Sequence, residues 1–238
     1  MLPRASGWLV AAAVLTLTSA CSASTADESR SPSPTSSPAI VGADGGPVEP
    51  LPGSGTLGPG FVTPTAPPPP GGTMTPSPGS WDGVTVPSDF RVVLLTTDQD
   101  AQTKVLSAAV RSWASRTHVP LTTVVADDPL NYVPAIQSAI DEHADLVVST
   151  GEGLVDPLAV VTASWAQQRF LIVGAELAEP TFNVTAADWK GASYRGEGLG
   201  TATTYDASSF TPERAARAVS AGVAAVVSGY SGYVVWVP

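Results

Sequence analysis

Cysteine is almost missing from this sequence of 238 residues, which contains Cys21 and no other. A single cysteine excludes an intramolecular disulfide, so an exported domain of this chain must be stable through its core alone. The two histidines, His118 and His143, have no further ligand type clustered near them in the sequence, and so they do not indicate a zinc site. We therefore predict no disulfide and no metal centre.

Positive charge is also scarce. Lysine occurs only at Lys104 and Lys190, and the 11 Lys and Arg residues face 21 Asp and Glu residues, for a net charge of −10. Such a chain repels phosphate backbones and anionic lipid, so nucleic-acid binding and electrostatic membrane binding are excluded as functions. The shortage of lysine beside abundant Arg, Ala, Val, Gly and Pro is typical of a GC-rich genome such as an actinobacterial one.

The first twenty-one residues have the organisation of an export signal. Arg4 supplies a positive start, residues 8–18 are apolar, and small residues precede Cys21. The apolar run is shorter than the roughly 20 residues that a spanning helix needs. The pattern predicts a signal peptide at 1–20 and lipidation of Cys21 by fatty acyl chains such as palmitate, although Leu17 lies one position earlier than in the usual lipoprotein signal. Secretion with an unpaired thiol is the alternative.

Residues 21–87 consist largely of Ser, Thr, Pro, Gly and Ala. A segment of this composition offers too little apolar surface to offset its ordering entropy, so the sequence predicts a disordered tether. A flexible tether of this length has a root-mean-square reach of about 45 Å. Its expected role is to hold a folded domain away from the membrane. Trp81 stands alone in this segment, either packed on the domain or within the tether.

Residues 88–238 change abruptly to alternating apolar strands and amphipathic helices. Short apolar runs predict parallel strands at 90–95, 121–126, 146–150, 169–174, 183–187 and 233–237. Helical spacing predicts helices at 101–116, 132–143, 154–168 and 212–228, the last with Thr211 as its N-cap and Pro212 at its first position. The expected fold is α/β, a single doubly wound and mainly parallel sheet flanked by helices.

Acidic and small residues follow successive predicted strands. Asp98 and Asp100 follow the first strand, Gly151 and Glu152 the third, and Glu176 the fourth. The carboxyl ends of parallel strands share one edge of a sheet, where ligands of open α/β folds bind. We therefore predict a ligand site of Asp98, Asp100, Gly151, Glu152 and Glu176. Such a site suits a hydroxyl-rich, amine-bearing or cationic ligand, or a hard metal ion, and not a phosphate. The alternative is that each acid caps the following helix.

Motifs for catalysis or cofactor binding are weak. Residues 196–200 (Gly-Glu-Gly-Leu-Gly) follow no clear strand-to-helix turn, so they do not indicate a dinucleotide, and we predict no cofactor. No Gly-x-Ser-x-Gly motif occurs, and no cysteine remains as a nucleophile after lipidation. We predict no catalytic residue, and the enzymatic alternative is a hydrolase with Asp98 or Glu152 as general base.

Three segments resemble the basic membrane protein family, the substrate-binding lipoproteins of nucleoside-type ABC importers. They are residues 98–102 after the first strand, residues 145–153 (Asp-Leu-Val-Val-Ser-Thr-Gly-Glu-Gly), and residues 221–228 followed by 232–237. The resemblance implies the first lobe of a type I periplasmic-binding-protein fold. Family members close two lobes around the ligand, and only one is found here. The Phe-Asn pair that follows the family's first acidic group is absent, and Ala101 and Gln102 lie nearby.

These observations together predict a lipid-anchored protein on the outer face of the cell membrane. The expected role is non-enzymatic binding or sensing of a small polar solute. The expected partners are the membrane, through the lipid anchor, a small polar solute, and an ABC permease or a second copy of the chain. The alternative from another class is a structural or interaction lipoprotein of the envelope whose pocket binds nothing.

Overall fold

The structure is a computed structural model that describes residues 50–62 and 71–238. The predicted signal peptide, Cys21 and the first part of the predicted tether lie outside the described residues. Among the described helices, none combines the length and the hydropathy that a membrane crossing requires.

Seven parallel strands form one sheet with the order β1-β7-β6-β5-β4-β2-β3. The strands are β1 Thr73–Met74, β2 Val92–Thr96, β3 Leu121–Val125, β4 Leu146–Thr150, β5 Phe170–Val173, β6 Val184–Asp188 and β7 Val234–Trp236. Every pairing is parallel. The prediction of an α/β fold with a mainly parallel sheet is confirmed, and the strand order reverses between β2 and β4.

Four helices cover the two faces of the sheet: α1 Ala101–Thr117, α2 Tyr132–Asp141, α3 Val155–Val161 and α4 Pro212–Val227. Residues of α1 and α4 share one apolar core with Val92 and Leu94, whereas α2 and α3 share another with Val93 and Leu95. Alternate residues of β2 therefore enter opposite cores, which explains why the strand reads as a continuous apolar run rather than as an alternating one.

Helix α3 is shorter than the sequence predicts. It ends at Val161 and continues only as a 3-10 turn over Thr162–Ser164, instead of running to Gln168. The side-chain amide of Asn183, which is 2% exposed, donates to the carbonyls of Thr162, Trp165 and Gln168 at 3.1, 3.0 and 3.0 Å. This contact from the chain before β6 satisfies carbonyls that a continuing helix would use internally.

The predicted tether is too long at its C-terminal end. Residues 50–62 and 71–87 pack on the α1 and α4 side of the sheet, where Phe61, Met74 and Trp81 are 2, 4 and 9% exposed. Strand β1 pairs with β7, Thr73 opposite Val234. The boundary at residue 88 is therefore wrong, because a few large apolar side chains in a Pro- and Gly-rich segment suffice to bind it to an existing core.

Candidate functional site

The two strands on either side of the order reversal end side by side. Thr96 at the end of β2 lies opposite Thr150 at the end of β4. The loops that follow these strands diverge to helices on opposite faces of the sheet, and this divergence opens a crevice at the carboxyl edge. A cavity of about 240 Å³ lies there. Its lining comprises Asp100, Gln102, Thr103, Gly151, Glu152, Gly174, Tyr205 and Phe210.

Two buried hydroxyl groups at the strand ends and one from α1 form a hydrogen-bonded ring. Thr96 Oγ1 lies 3.0 Å from Ser107 Oγ and 2.9 Å from Thr150 Oγ1, and Ser107 Oγ lies 3.2 Å from Thr150 Oγ1. All three residues are fully buried. Because each hydroxyl both donates and accepts, the ring satisfies its own members and ties α1 to the two strands that end there.

Asp100 has a structural role as well as a place in the crevice. It is the N-cap of α1, and its two carboxylate oxygens accept from the backbone N–H and the hydroxyl of Thr103 at 2.7 and 2.6 Å. The capping alternative is therefore correct for this residue. Gly151 packs on the same threonine with φ of 73°, and a Cβ built there would lie 2.6 Å from Thr103 Oγ1. A glycine is required at this position by both conformation and space.

Glu152 is the less constrained carboxylate. No described residue donates a hydrogen bond to its side chain, and it is exposed at the mouth of the crevice. Partial burial of the carboxyl group, and then the negative charge of Asp100, raise the pKa of Glu152. The pKa of the Tyr205 phenol is raised by burial and then by the charges of Glu152 and Asp100. A positive charge in the crevice would relieve this repulsion.

The aromatic side of the crevice comes from the long segment between β6 and α4. Phe210 packs against Trp189 and Tyr205, with ring centroids 5.1 and 5.9 Å apart. The indole N–H of Trp189 donates to Ser209 Oγ at 2.9 Å, which fixes the end of this segment. Sequence analysis did not find Tyr205 and Phe210 because nothing in their local pattern shows where a loop folds back. Aromatic residues in a polar loop were the available signal.

Asp98 was predicted in the site, but it does not line the crevice. Its carboxylate lies 4.0 Å from Arg111 Nη2, and its backbone N–H donates to Thr96 Oγ1 at 3.0 Å. With φ of 51°, Asp98 adopts the left-handed conformation, and it is not among the residues that line the crevice. The prediction placed all acids that follow the strands at one edge of the sheet, whereas Asp98 lies beside Arg111 of α1.

Glu176 is likewise outside the crevice lining. It is 8% exposed, and burial raises its pKa, an effect that the Arg195 guanidinium partly offsets. Glu176 also adds to the raised pKa of Asp188, which is about 8 chiefly because Asp188 is fully buried at the end of β6. The prediction overlooked Asp188. The structure thus brings Asp100, Gly151 and Glu152 together and places Asp98 and Glu176 elsewhere.

The part of the chain that the structure describes contains no cluster of metal-binding side chains. In residues 50–62 and 71–238, no three His, Cys, Asp or Glu side chains lie close enough together to hold an ion. The two crevice carboxylates, one of them engaged by Thr103, suit an organic cation or a hydroxyl-rich molecule better than a hard metal ion with six or more oxygen ligands.

No protein-family model and no curated protein matches this chain. Among solved structures, the chain is similar to a fragment described as a lipoprotein from Peptoclostridium difficile 630, with 16% identity and a TM-score of 0.43, covering 58% of this chain and 98% of that one. It is also similar to an ABC transporter system solute-binding protein from Aeropyrum pernix K1, with 16% identity and a TM-score of 0.39, covering 43% of this chain and 29% of that one. This chain therefore spans less than a third of the second protein. Neither similarity shows the basic membrane protein family. The α/β fold class is established by the parallel sheet and the helices of this structure.

Proposed function

We propose that this chain is a lipid-anchored protein of the cell envelope whose α/β domain binds a small polar solute without transforming it. The observation that carries the proposal is the crevice at the strand-order reversal, where Asp100 and Glu152 share a lining with Tyr205 and Phe210. Open α/β sheets bind ligands at this position. Export and anchoring are supported by the signal pattern before Cys21.

The chemistry of the crevice favours a ligand with a positive charge or several hydroxyl groups. Two carboxylates accept hydrogen bonds and attract a cation, while the Tyr205 ring, 46% exposed, offers a surface for stacking or cation–π contact. The volume of about 240 Å³ suits a small amine, amino sugar or polyol rather than a larger molecule. An open crevice buries little of its ligand, so we expect a Kd nearer 1 mM than 1 nM.

Binding is favoured over catalysis because the Thr103 hydroxyl in the crevice lining is already engaged in a hydrogen bond. Thr103 Oγ1 lies beside a carboxylate, as a nucleophile would, but the residue is 2% exposed and its hydroxyl donates to Asp100. A substrate cannot reach it without displacing the cap of α1. We propose as its partner a membrane permease that receives the solute, or a second copy of the chain whose crevice faces this one.

The test is a thermal-shift screen of the full chain against putrescine, glucosamine, glucose, glycerol and uridine at constant ionic strength. We expect saturable stabilisation by an amine or polyol, with the Kd raised at least tenfold in Glu152→Gln. Glu142→Gln, which removes the same charge from the exposed end of α2, is the matched control and should bind as the unaltered chain does.

Two outcomes would contradict the proposal. No stabilisation by any member of the panel would favour an interaction lipoprotein with an inactive pocket. Equal affinity in the unaltered chain, Glu152→Gln and Glu142→Gln would place the solute outside the crevice.

A further inference from the structure

A second cavity, of about 650 Å³, lies on the other side of the segment that precedes α4. It is distinct from the acidic crevice in its lining and in its charge. Its charged and hydroxyl-bearing lining includes Lys190, Thr204, Asp206, Ser208, Arg214 and Arg217. Neighbours in sequence thus divide between the two cavities, since Tyr205 and Phe210 line the crevice.

This basic cavity gathers positive charge on an acidic protein. Three of the nine Lys and Arg residues in the described ranges line it, although the whole chain carries a net charge of −10. The lining contains one carboxylate, that of Asp206. Its Oδ1 accepts from the backbone N–H and the hydroxyl of Ser208 at 2.9 and 2.6 Å, so Asp206 is held within its own loop. The lining keeps two positive charges in excess.

The cationic groups retain donors that no described residue uses. Arg214 Nη1 donates to the Ser209 carbonyl at 3.2 Å, while Arg214 Nε is buried with no partner among the described residues. Arg217 Nη2 donates to the backbone oxygen of Pro238 at 3.4 Å, near the limit for a hydrogen bond. No described group accepts from the exposed Lys190 ammonium. A guanidinium has five N–H donors and an ammonium has three, so most of these donors have no partner among the described residues.

The backbone holds Lys190 near the two arginines. Gly191 has φ of 105°, and a Cβ built there would lie 2.7 Å from Ser209 Oγ. Gly191 also forms two hydrogen bonds with this segment. Its carbonyl accepts from the Asp206 N–H at 2.8 Å, and its N–H donates to Thr203 Oγ1 at 3.0 Å. The turn after β6 is thereby fixed against the segment that leads into α4.

The dipole of helix α4 adds to the positive electrostatic potential of the basic cavity. Its sixteen residues begin at Pro212, which has no N–H, and the N–H of Arg214 is taken by Thr211 Oγ1 at 3.2 Å. The helix therefore contributes partial positive charge rather than free donors. Glu213, in the first turn, is exposed and does not line the cavity.

We propose that the basic cavity of Lys190, Arg214 and Arg217 binds a phosphate or sulfate monoester of a small polar molecule. Guanidinium groups bind tetrahedral oxyanions through paired hydrogen bonds, and the hydroxyls of Thr204 and Ser208 supply further donors. The volume exceeds the needs of a free oxyanion, so it accommodates the polar body of an ester. This site does not depend on ligand binding in the acidic crevice.

The test measures thermal stabilisation of the full chain by inorganic phosphate, glucose 6-phosphate and glucose, with chloride replacing them at equal ionic strength. Inorganic phosphate and glucose 6-phosphate should stabilise the chain saturably, and glucose should not. In Lys190→Gln/Arg217→Gln the Kd for both anions should rise at least tenfold. Arg116→Gln/Arg169→Gln removes the same charge from positions outside the cavity and should bind as the unaltered chain does. Tighter binding of glucose 6-phosphate than of inorganic phosphate would identify an ester as the occupant, and equal binding would identify the free oxyanion.

The proposal is overturned if neither anion stabilises the unaltered chain, or if both double variants respond as it does. The second result would mean a general salt effect on an acidic protein. Circular dichroism checks the fold of each variant. If the first double variant does not fold, Lys190→Gln alone, at an exposed side chain, should raise the Kd at least threefold, and an unchanged Kd would overturn the proposal. Glu152→Gln should leave phosphate binding unchanged, which separates this site from the crevice.

Discussion

The carboxylate of Asp188 accepts a hydrogen bond of 2.9 Å from the backbone N–H of Ser193. The same oxygen, Oδ1, accepts from Trp189 N–H at 2.8 Å, while Oδ2 is buried with no partner among the described residues. Ser193 has φ of 64° and is fully buried. One side chain at the end of β6 thus fixes the tight turn from which the segment bearing Tyr205 and Phe210 departs.

Asp188 should make the domain less stable as the pH rises. Its folded pKa of about 8 lies above its ordinary value of 3.8, so between these values the folded state binds more protons than the unfolded state and unfolding becomes easier with increasing pH. Glu176 reinforces this effect, since its charge contributes to the shift and its own pKa is raised. Urea unfolding at pH 5, 6, 7 and 8 should show this decline, and Asp188→Asn should reduce it by a few kcal/mol over the range. Parallel pH profiles of the two proteins would refute this account.

Asp100 should be separable into its two roles. Asp100→Ser keeps an N-cap oxygen for Thr103 N–H and removes the crevice charge, whereas Asp100→Ala removes both. We expect Asp100→Ala to lower the free energy of unfolding by about 1 kcal/mol and Asp100→Ser by much less. Both variants should weaken binding of a cationic solute. Equal destabilisation by the two substitutions, measured by urea unfolding, would show that the carboxylate acts through something other than the cap.

Phe61 should matter as much as a residue of the central sheet. It is 2% exposed, and its ring centroid lies 6.4 Å from that of Tyr230. Phe61→Ala should lower the free energy of unfolding by about 3 kcal/mol or more, because truncation of a buried aromatic loses burial and leaves a cavity. Thr56→Ala, at an exposed position of the same segment, is the control and should stay within about 0.5 kcal/mol. A loss as small as that of the control would mean that the segment is not part of the folded core.

Cys21→Ser should release the protein from the membrane without affecting the domain. The residue lies outside the described part of the chain, so the expectation rests on the signal pattern alone. Fractionation of cells should find the unaltered protein with membranes and the variant in the soluble or secreted fraction, with identical melting temperatures. Ser24→Ala serves as the control and should remain anchored. Recovery of Cys21→Ser with membranes after a salt wash would exclude lipidation as the anchor.

The fold from β2 onward could be predicted because each element has its own local pattern. The apolar run around Val92 and the cap and proline before α4 are signals contained within a few residues. The segment before residue 88 could not be predicted in this way, because Phe61 and Trp81 are isolated in a Pro- and Gly-rich sequence. Their burial depends on a surface formed by α1 and α4, and composition does not describe that surface.

The candidate site was predictable only in part, for a related reason. Gly151 and Glu152 follow a strand directly, so their position at the carboxyl edge follows from the parallel sheet. Asp98 and Glu176 also follow strands, yet neither lines the crevice: Asp98 lies in a left-handed turn beside Arg111, and Glu176 is buried. The basic cavity was missed entirely, because Lys190 and Arg214 are distant in sequence and are brought together by the turn at Gly191.

The pairing of β1 with β7 has a consequence for how the protein is made. Thr73 and Met74 take Val234 and Val235 as their partners, so β1 cannot pair in the sheet until the chain has been synthesised as far as β7. Until then the aromatic side chains near residues 61 and 81 have no complete surface to pack against. Contacts so distant in sequence form slowly. The order of strands therefore leaves these N-terminal aromatic side chains without their final packing until β7 has been synthesised.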